Sequence, residues 1–353
     1  MQITDYSFIF VYLLLGVMVS LVMCRIAIYL GNRFGLIDIP GSLPHKQHKN
    51  PTPLVGGIAL VGSLLVFIPI VGLYKLPEMV KIFVPLLVIF FFGIWDDKKR
   101  IRARYKFLGQ AIAAVILVSS GISIQVLESM LGSSSPFLDL AFWVDRLVTI
   151  FWIVGITNAF NLVDSMDGLA IGLANMSFAF FMLASINSGQ TELVGLFSIL
   201  FGFGIGILVY NLTPAKLFLG DAGAQTIGFL LAALAILYHP AGKEQASTWF
   251  VKVMLMAVPV FDTSLVFFSR LKHGHPFYIA GQDHTYHRLV HMGMPGGRAV
   301  AVIQVAAFMI NCLAFIAAGF PPLYSNLIFI FTFILGLAAF VFLEKKSPVS
   351  DGI

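Results

Sequence analysis

The sequence is poor in the residues that mark soluble, cross-linked or nucleotide-driven proteins. Only 11% of its 353 residues are charged, and two are cysteine. An ordinary soluble domain is about 25% Asp, Glu, Lys and Arg, so a normally polar, water-facing surface is excluded. Cys24 and Cys312 both sit in apolar runs. They read as small buried hydrophobes, which excludes a disulfide framework and a thiolate metal site. No G-x-x-x-x-G-K-[S/T] run is present, so nothing supports an ATP-driven machine. No Gly-, Ser- or Pro-rich linker divides the chain and no repeat is evident, so residues 1–353 read as one membrane domain. The first apolar stretch, from Tyr6, has neither a basic leader nor a small-residue cleavage site and reads as a retained span.

Long hydrophobic runs take the place of what is missing. The chain is 59% hydrophobic, and several runs reach the roughly 20 residues that cross a bilayer. The runs predict an all-α, polytopic membrane protein with about eleven transmembrane helices, over 6–30, 54–74, 80–95, 105–120, 144–162, 168–186, 193–210, 222–238, 249–268, 299–318 and 324–343. Segment 121–143 is read either as a plain loop or as one containing an interfacial helix. With the first residue outside, loops 31–53, 96–104, 163–167, 211–221 and 269–298 share one side with the tail from Glu344. Of the 22 Lys and Arg residues, only Lys75, Lys81, Arg146, Lys243 and Lys252 fall on the other side. That asymmetry makes the rich side cytoplasmic, the N-terminus external and the C-terminus internal. The net charge of +5 therefore reads as membrane orientation before nucleic-acid binding.

The same face collects the chemistry. Asn158, Asn161, Asp164 and Asp167 form N-x-x-N-x-x-D-x-x-D at the end of a span. A spacing of three keeps such groups roughly on one helical face, and polar groups beside a bilayer need partners. They are either a polar helix contact with caps, or a site for a metal or a phosphate-bearing substrate. Asp96-Asp97 ends the third span. Adjacent carboxylates suit Mg²⁺ with substrate phosphates, one of them can serve as a general base, and an interfacial cap is the bland alternative. The basic run that follows, to Lys106, orients the protein or holds phosphate charge. Asp221 lies in Gly220-Asp221-Ala222-Gly223, where it either caps a helix or meets a ligand that glycines allow close. His284, His287 and Arg288 in the last long loop make an anion pocket if the turn is helical; a zinc site is not specified by such a set alone. His45 and His48 sit in a Pro- and Gly-shaped first loop. Asp262 is an acid within the ninth span, read equally as a functional group or a packing contact. Acids gathered at one end of the spans favour phosphoryl chemistry on a lipid substrate over a secondary transporter, whose site would lie near the midplane.

Together these residues resemble the polyprenyl-phosphate N-acetylhexosamine-1-phosphate transferase family, which includes undecaprenyl-phosphate GlcNAc-1-phosphate transferases and the phospho-MurNAc-pentapeptide translocase. The resemblance rests on Asp96-Asp97, on Asn158 to Asp167 with the following Gly168-Leu169-Ala170, on Asp221, on His284 and His287, and on the first loop ending in Gly56-Gly57. It implies a bacterial cytoplasmic-membrane enzyme that moves HexNAc 1-phosphate, most naturally GlcNAc 1-phosphate, from a UDP-sugar to undecaprenyl phosphate. UMP leaves, and the product starts a cell-surface polysaccharide such as O-antigen or teichoic acid. It implies Mg²⁺, with Mn²⁺ able to substitute, Asp221 as a direct ligand and Asp97 assisting. Asp96 would deprotonate or orient the lipid phosphate, in one step or through an aspartyl-phosphate. Asp164 and Asp167, with Asn158 and Asn161, would shape the metal and nucleotide pocket. His284, His287 and Arg288 would hold the sugar phosphate or diphosphate, with His45, His48 and Lys106 as further substrate contacts. Homodimerisation is a family expectation, and nucleic acid is not an expected partner. The chain departs from the family at Ser165, where Gly is usual, at Ala224, where Ser is common, and at His45, where Arg is frequent. Its D-H-x-x-H-R-L run replaces three consecutive histidines, which points away from a pentapeptide-bearing substrate.

Overall fold

A computed structural model describes residues 7–40, 50–131, 135–239, 245–276 and 281–347. Apart from one two-stranded ribbon, its regular structure is helical. In chain order the elements are α1 (Phe8–Phe34), β1 (Ile37–Asp38), β2 (Thr52–Pro53), α2 (Gly56–Val71), α3 (Pro77–Lys99), α4 (Ala103–Ser119), α5 (Val126–Met130), α6 (Leu138–Val163), α7 (Leu169–Asn187), α8 (Thr191–Asn211), α9 (Gly220–Leu237), α10 (Gln245–Met254), α11 (Ala257–His273), α12 (Thr285–His291), α13 (Gly296–Gly319) and α14 (Pro322–Lys346).

Every predicted span is helical, but the helices are not equally long. Among the described residues, eight are long and apolar enough to cross a membrane, namely α1, α3, α6, α7, α8, α9, α13 and α14. A ninth span exists if the bent pair α10 and α11 counts as one. Helix α2 has 16 residues and α4 has 17. At 1.5 Å per residue both fall short of a hydrocarbon core of about 30 Å. The uninterrupted span expected over 249–268 is instead broken, with a bend of 78° between its halves. The cause is local. Pro259 has no N–H to return to the Leu255 carbonyl, and Ser177 Oγ donates to that carbonyl instead, at 2.7 Å. The short helix α5 occupies the 121–143 segment. Buried Asp145 fixes it by accepting the backbone N–H groups of Leu127 and Glu128.

Helix α9 is the axis of the fold. Its apolar window is 83% buried, against 6% for α14, so one is surrounded by protein and the other is turned outwards. Small residues let the neighbours close on α9. Added Cβ atoms at Gly57 and Gly93 would strike Ala222, and one at Gly228 would strike Ile156 and Phe160 of α6. In hydrocarbon such close packing replaces the hydrophobic drive available in water. Two loops at one end of the bundle are stitched together by backbone. β1 pairs antiparallel with β2. The N–H groups of Val55 and Gly56 donate to the Phe218 carbonyl, and Phe218 N–H donates to Pro53. The stitching holds the Gly220-Asp221 turn beside the first loop. His45 and His48 of that loop lie outside the described residues.

Candidate active site

The C-terminal end of α3, the N-terminal turns of α4 and α9, and the C-terminal end of α6 meet at one point. Asp96, in the last turn of α3, is 3% exposed. Its Oδ1 accepts the Ile101 N–H at 2.8 Å, and its Oδ2 is paired with the Lys106 ammonium. The same ammonium donates to Asp221 Oδ1 at 2.9 Å, and Asn161 Nδ2 donates to that oxygen at 2.7 Å. Asp97 turns to the start of α9, where its two oxygens accept the N–H groups of Asp221 (2.7 Å) and Ala222 (3.0 Å). These are N–H groups that a helix leaves unpaired in its first turn. Gly220 makes this approach possible. Its φ is +68°, and a Cβ there would lie 2.8 Å from both Asp97 oxygens. Of the readings of Asp97, the cap is the one its hydrogen bonds display. Each of its oxygens keeps a second lone pair.

One lysine therefore faces two carboxylates, with Asp97 next in sequence. Asp164, just past the end of α6, feels the same surplus of negative charge. Burial, reinforced by the charges of Asp221 and Asp167, pushes its pKa up to about 8. A set of hard oxygen donors rich in uncompensated charge fits Mg²⁺. Among the described residues no three His, Cys, Asp or Glu side chains surround a common point. The fit is thus to an ion held through one or two carboxylates and completed by substrate phosphates, with Asp221 and Asp97 placed to supply the protein's share.

A second layer lies behind these acids. Gln110 Nε2 donates to Gln225 Oε1 at 2.9 Å, and Asn158 Nδ2 donates to Gln110 Oε1 at 2.5 Å and to the Val154 carbonyl at 2.8 Å. Gln110 and Gln225 were not singled out in the sequence. Their signal was two amides inside apolar runs, where polar groups need a reason. Asp167 faces the 212–219 loop, accepting from Thr213 Oγ1 (3.2 Å) and the Ala215 N–H (3.3 Å). Asn211 joins the same loops, accepting the Gly168 N–H and donating to the Leu217 carbonyl.

The histidine segment docks on the other side of the 164–168 turn. A small cavity lined by Ser165, Leu169, Val258, Asp262, His284 and Tyr286 separates them. His284 Nδ1 bonds to Asp262 Oδ2 at 2.8 Å. His287 lies one turn further along α12, its ring centroid 6.2 Å from that of His284 and 5.2 Å from Tyr286. Burial and the charges of His284 and His291 lower the His287 pKa to about 4. Arg288 turns inwards, away from the place expected for a substrate contact. It is 1% exposed, and its donors go to the Asp283 carbonyl (2.8 Å), Glu344 Oε2 (2.9 Å), the Ser347 carbonyl (2.9 Å) and Ser269 Oγ (2.7 Å). Arg270 holds Asp283 with two bonds of 2.7 and 2.6 Å.

Fold and site together define a multi-pass membrane protein with an acid-, amide- and lysine-built centre where several helices end. The glycosyl transferase family 4 model matches residues 79–239, a stretch that runs from α3 to the end of α9. A probable undecaprenyl-phosphate N-acetylglucosaminyl 1-phosphate transferase of Bacillus subtilis is 30% identical over 329 residues, covering 92% of this chain and 87% of that one. A decaprenyl-phosphate N-acetylglucosaminephosphotransferase of Mycobacterium tuberculosis is 30% identical over 82% of this chain and 77% of its own length. A phospho-N-acetylmuramoyl-pentapeptide-transferase of Limosilactobacillus fermentum is 32% identical, over 55% of this chain. The chain belongs to the polyprenyl-phosphate N-acetylhexosamine-1-phosphate transferase family, to which the pentapeptide translocases are related.

Proposed function

We propose that the protein transfers N-acetylhexosamine 1-phosphate, with GlcNAc as the sugar, from its UDP-sugar to undecaprenyl phosphate, releasing UMP at the cytoplasmic face of a bacterial membrane. The observation that carries this reading is the Asp96–Lys106–Asp221–Asn161 constellation. It is built from residues 10 to 125 positions apart in sequence and set at helix ends, where a lipid phosphate and a water-borne nucleotide can both arrive. Similarity over nearly the whole chain to N-acetylglucosaminyl relatives, against about half for the pentapeptide relative, supports the smaller sugar.

The residues divide the work as follows. Asp96, buried beside Lys106, accepts or steers the proton of the lipid phosphate as its oxygen attacks the sugar-bearing phosphorus. Lys106 offsets part of the charge of Asp96 and Asp221 before substrate binds and is free to turn to phosphoryl oxygens afterwards. Asn161 fixes the Asp221 carboxylate, while Asp164 and Asp167 hold the turn that closes the nucleotide side. Mg²⁺, held by Asp221 and Asp97, would supply neutralisation of charge on the phosphoryl oxygens. His284 on the opposite wall, with His287 one turn further along α12, serves as a contact for the diphosphate.

The orientation follows the charge asymmetry, with eleven crossings, an external N-terminus and an internal C-terminus. In support, α3, α6, α8, α11 and α14 end where α4, α7, α9 and α13 begin. The short helices α2 and α4 cross by local thinning of the bilayer. The test is nucleotide release from purified protein given undecaprenyl phosphate, Mg²⁺ and a panel of UDP-HexNAc donors. UMP that appears only with lipid phosphate is the expected result. UDP in its place would mean ordinary glycosyl transfer and would overturn the reading.

A further inference from the structure

Asp262 is the first charged residue of α11, set among Val258, Pro259, Val260 and Phe261, and the next is Arg270. It is 1% exposed. An isolated carboxylate at such a place would cost several kcal/mol unless paired, and here its pairing is specific. Oδ2 meets His284 Nδ1 at 2.8 Å, and Oδ1 accepts the Thr285 N–H at 2.6 Å. One carboxylate therefore grips both the ring and the backbone at the start of α12. With Nδ1 engaged, Nε2 is the only ring position of His284 left for a ligand. His284 itself is 7% exposed and lines the cavity that faces Ser165. Among the described residues no carboxylate bonds to the His287 ring in this way. Its neighbours are rings, those of His284 and Tyr286.

We propose that Asp262 is a positioning residue that orients His284 and keeps both of its ring nitrogens protonated, so that Nε2–H is a fixed, charged donor to substrate phosphoryl oxygens while His287 works as an uncharged ring. This rests on the phosphosugar-transfer reading and gives the two histidines different tasks within it. The arrangement is the one in which a carboxylate on one ring nitrogen fixes what the other can do. The charges that face His284 are those of Asp262 and Arg270 from α11, with Asp283 and His287 from its own segment. Burial disfavours the charged ring, but Asp262 and then Asp283 outweigh it, and the His284 pKa is raised. The ring is thus charged below that raised pKa and loses its proton as pH climbs through it.

Two measurements test this. The first reads ring titration by ¹⁵N-histidine NMR of the substrate-free protein in detergent, with the His284 signal assigned by its loss in His284→Gln. Asp262→Asn keeps the shape and removes the charge. It should lower the His284 midpoint by about one pH unit or more, while His287 stays unprotonated across neutral pH in both proteins. An unmoved His284 midpoint overturns the proposal, and this measurement needs no turnover. The second is kcat/KM for UMP release between pH 6 and 9. Asp262→Asn should shift the alkaline fall of activity to lower pH and recover towards wild type at pH 6, and His284→Gln should lack that fall. A loss by the same factor at every pH would make Asp262 merely structural and overturn the proposal. Wild-type protein that releases no UMP, yet shows the NMR shift, would leave the Asp262–His284 pairing standing and sink only the transferase reading.

Discussion

At the residue scale the centre turns on one ammonium shared between two carboxylates. Lys106 is 25% exposed and Asp221 28%, while Asp96 is almost wholly buried. Removing Lys106 leaves Asp96 and Asp221 facing each other without a cation between them. Like charges that close raise the proton affinity of one partner. A protonated Asp96 can no longer take a proton from the lipid phosphate. Lys106→Met should therefore lower kcat for UMP release by about 100-fold or more, the scale of losing one preorganised electrostatic group. Lys106→Arg should recover only part of this, because a planar fork does not replace a compact point charge. Size-exclusion profiles would show whether the variants remain folded. Activity within threefold of wild type for Lys106→Met would remove the lysine from the chemistry. At this scale the sequence was readable where a polar residue interrupts an apolar run, as with Asp96, Asn161, Asp221 and Asp262. It was silent on direction. Nothing in D-H-x-x-H-R-L says that Arg288 points back into the protein, because its partners Ser269, Glu344 and Ser347 are strewn over 79 positions and share no motif.

At the scale of elements, the histidine helix α12 is held from two sides, by α11 through Asp262 and by α14 through Glu344. Helix α14 is the most outward-facing of the spans. Yet its last turn carries a buried carboxylate, with Glu344 Oε2 accepting from Arg288 Nη1 and from Ser269 Oγ at 2.9 and 2.7 Å. The final helix is therefore tied to the wall of the site. Glu344→Ala would leave the Arg288 guanidinium buried and short of a partner. Loss of one member of a buried pair costs about 3–5 kcal/mol, so the thermal midpoint in detergent should fall clearly. Glu344→Gln, which keeps an acceptor, should lose less. Once Arg288 is already alanine, removing Glu344 should cost little more, the signature of a coupled pair. If Arg288→Ala instead left stability unchanged and raised only the KM for UDP-sugar, the arginine would be a substrate contact after all. The spans were legible because length and hydropathy carry them. The 78° break between α10 and α11 was not, since Pro259 sits early enough in a helix to be tolerated there, and the hydroxyl of Ser177 that completes the break comes from another helix.

At the scale of the molecule, the whole functional reading depends on which side of the membrane the helix ends face. The charge asymmetry says cytoplasm, and the scarcity of cysteine makes the question easy to put. Cys24 is buried and Cys312 half-buried, so native thiols give little background to a membrane-impermeant maleimide. Arg102 lies exposed between α3 and α4, next to the acid centre, and Glu192 lies exposed at the start of α8, at the opposite end of the bundle. In intact spheroplasts Glu192→Cys should be labelled at once, and Arg102→Cys only after the membrane is permeabilised. The site would then open towards the compartment that holds UDP-sugars, with the lipid phosphate entering from the bilayer on the same side. The reverse labelling pattern would put the carboxylates outside, beyond the reach of a cytoplasmic nucleotide. The orientation, the donor class and the assignment of Asp96 to the lipid phosphate would then fall together, because each assumes that both substrates meet at that end of the helices.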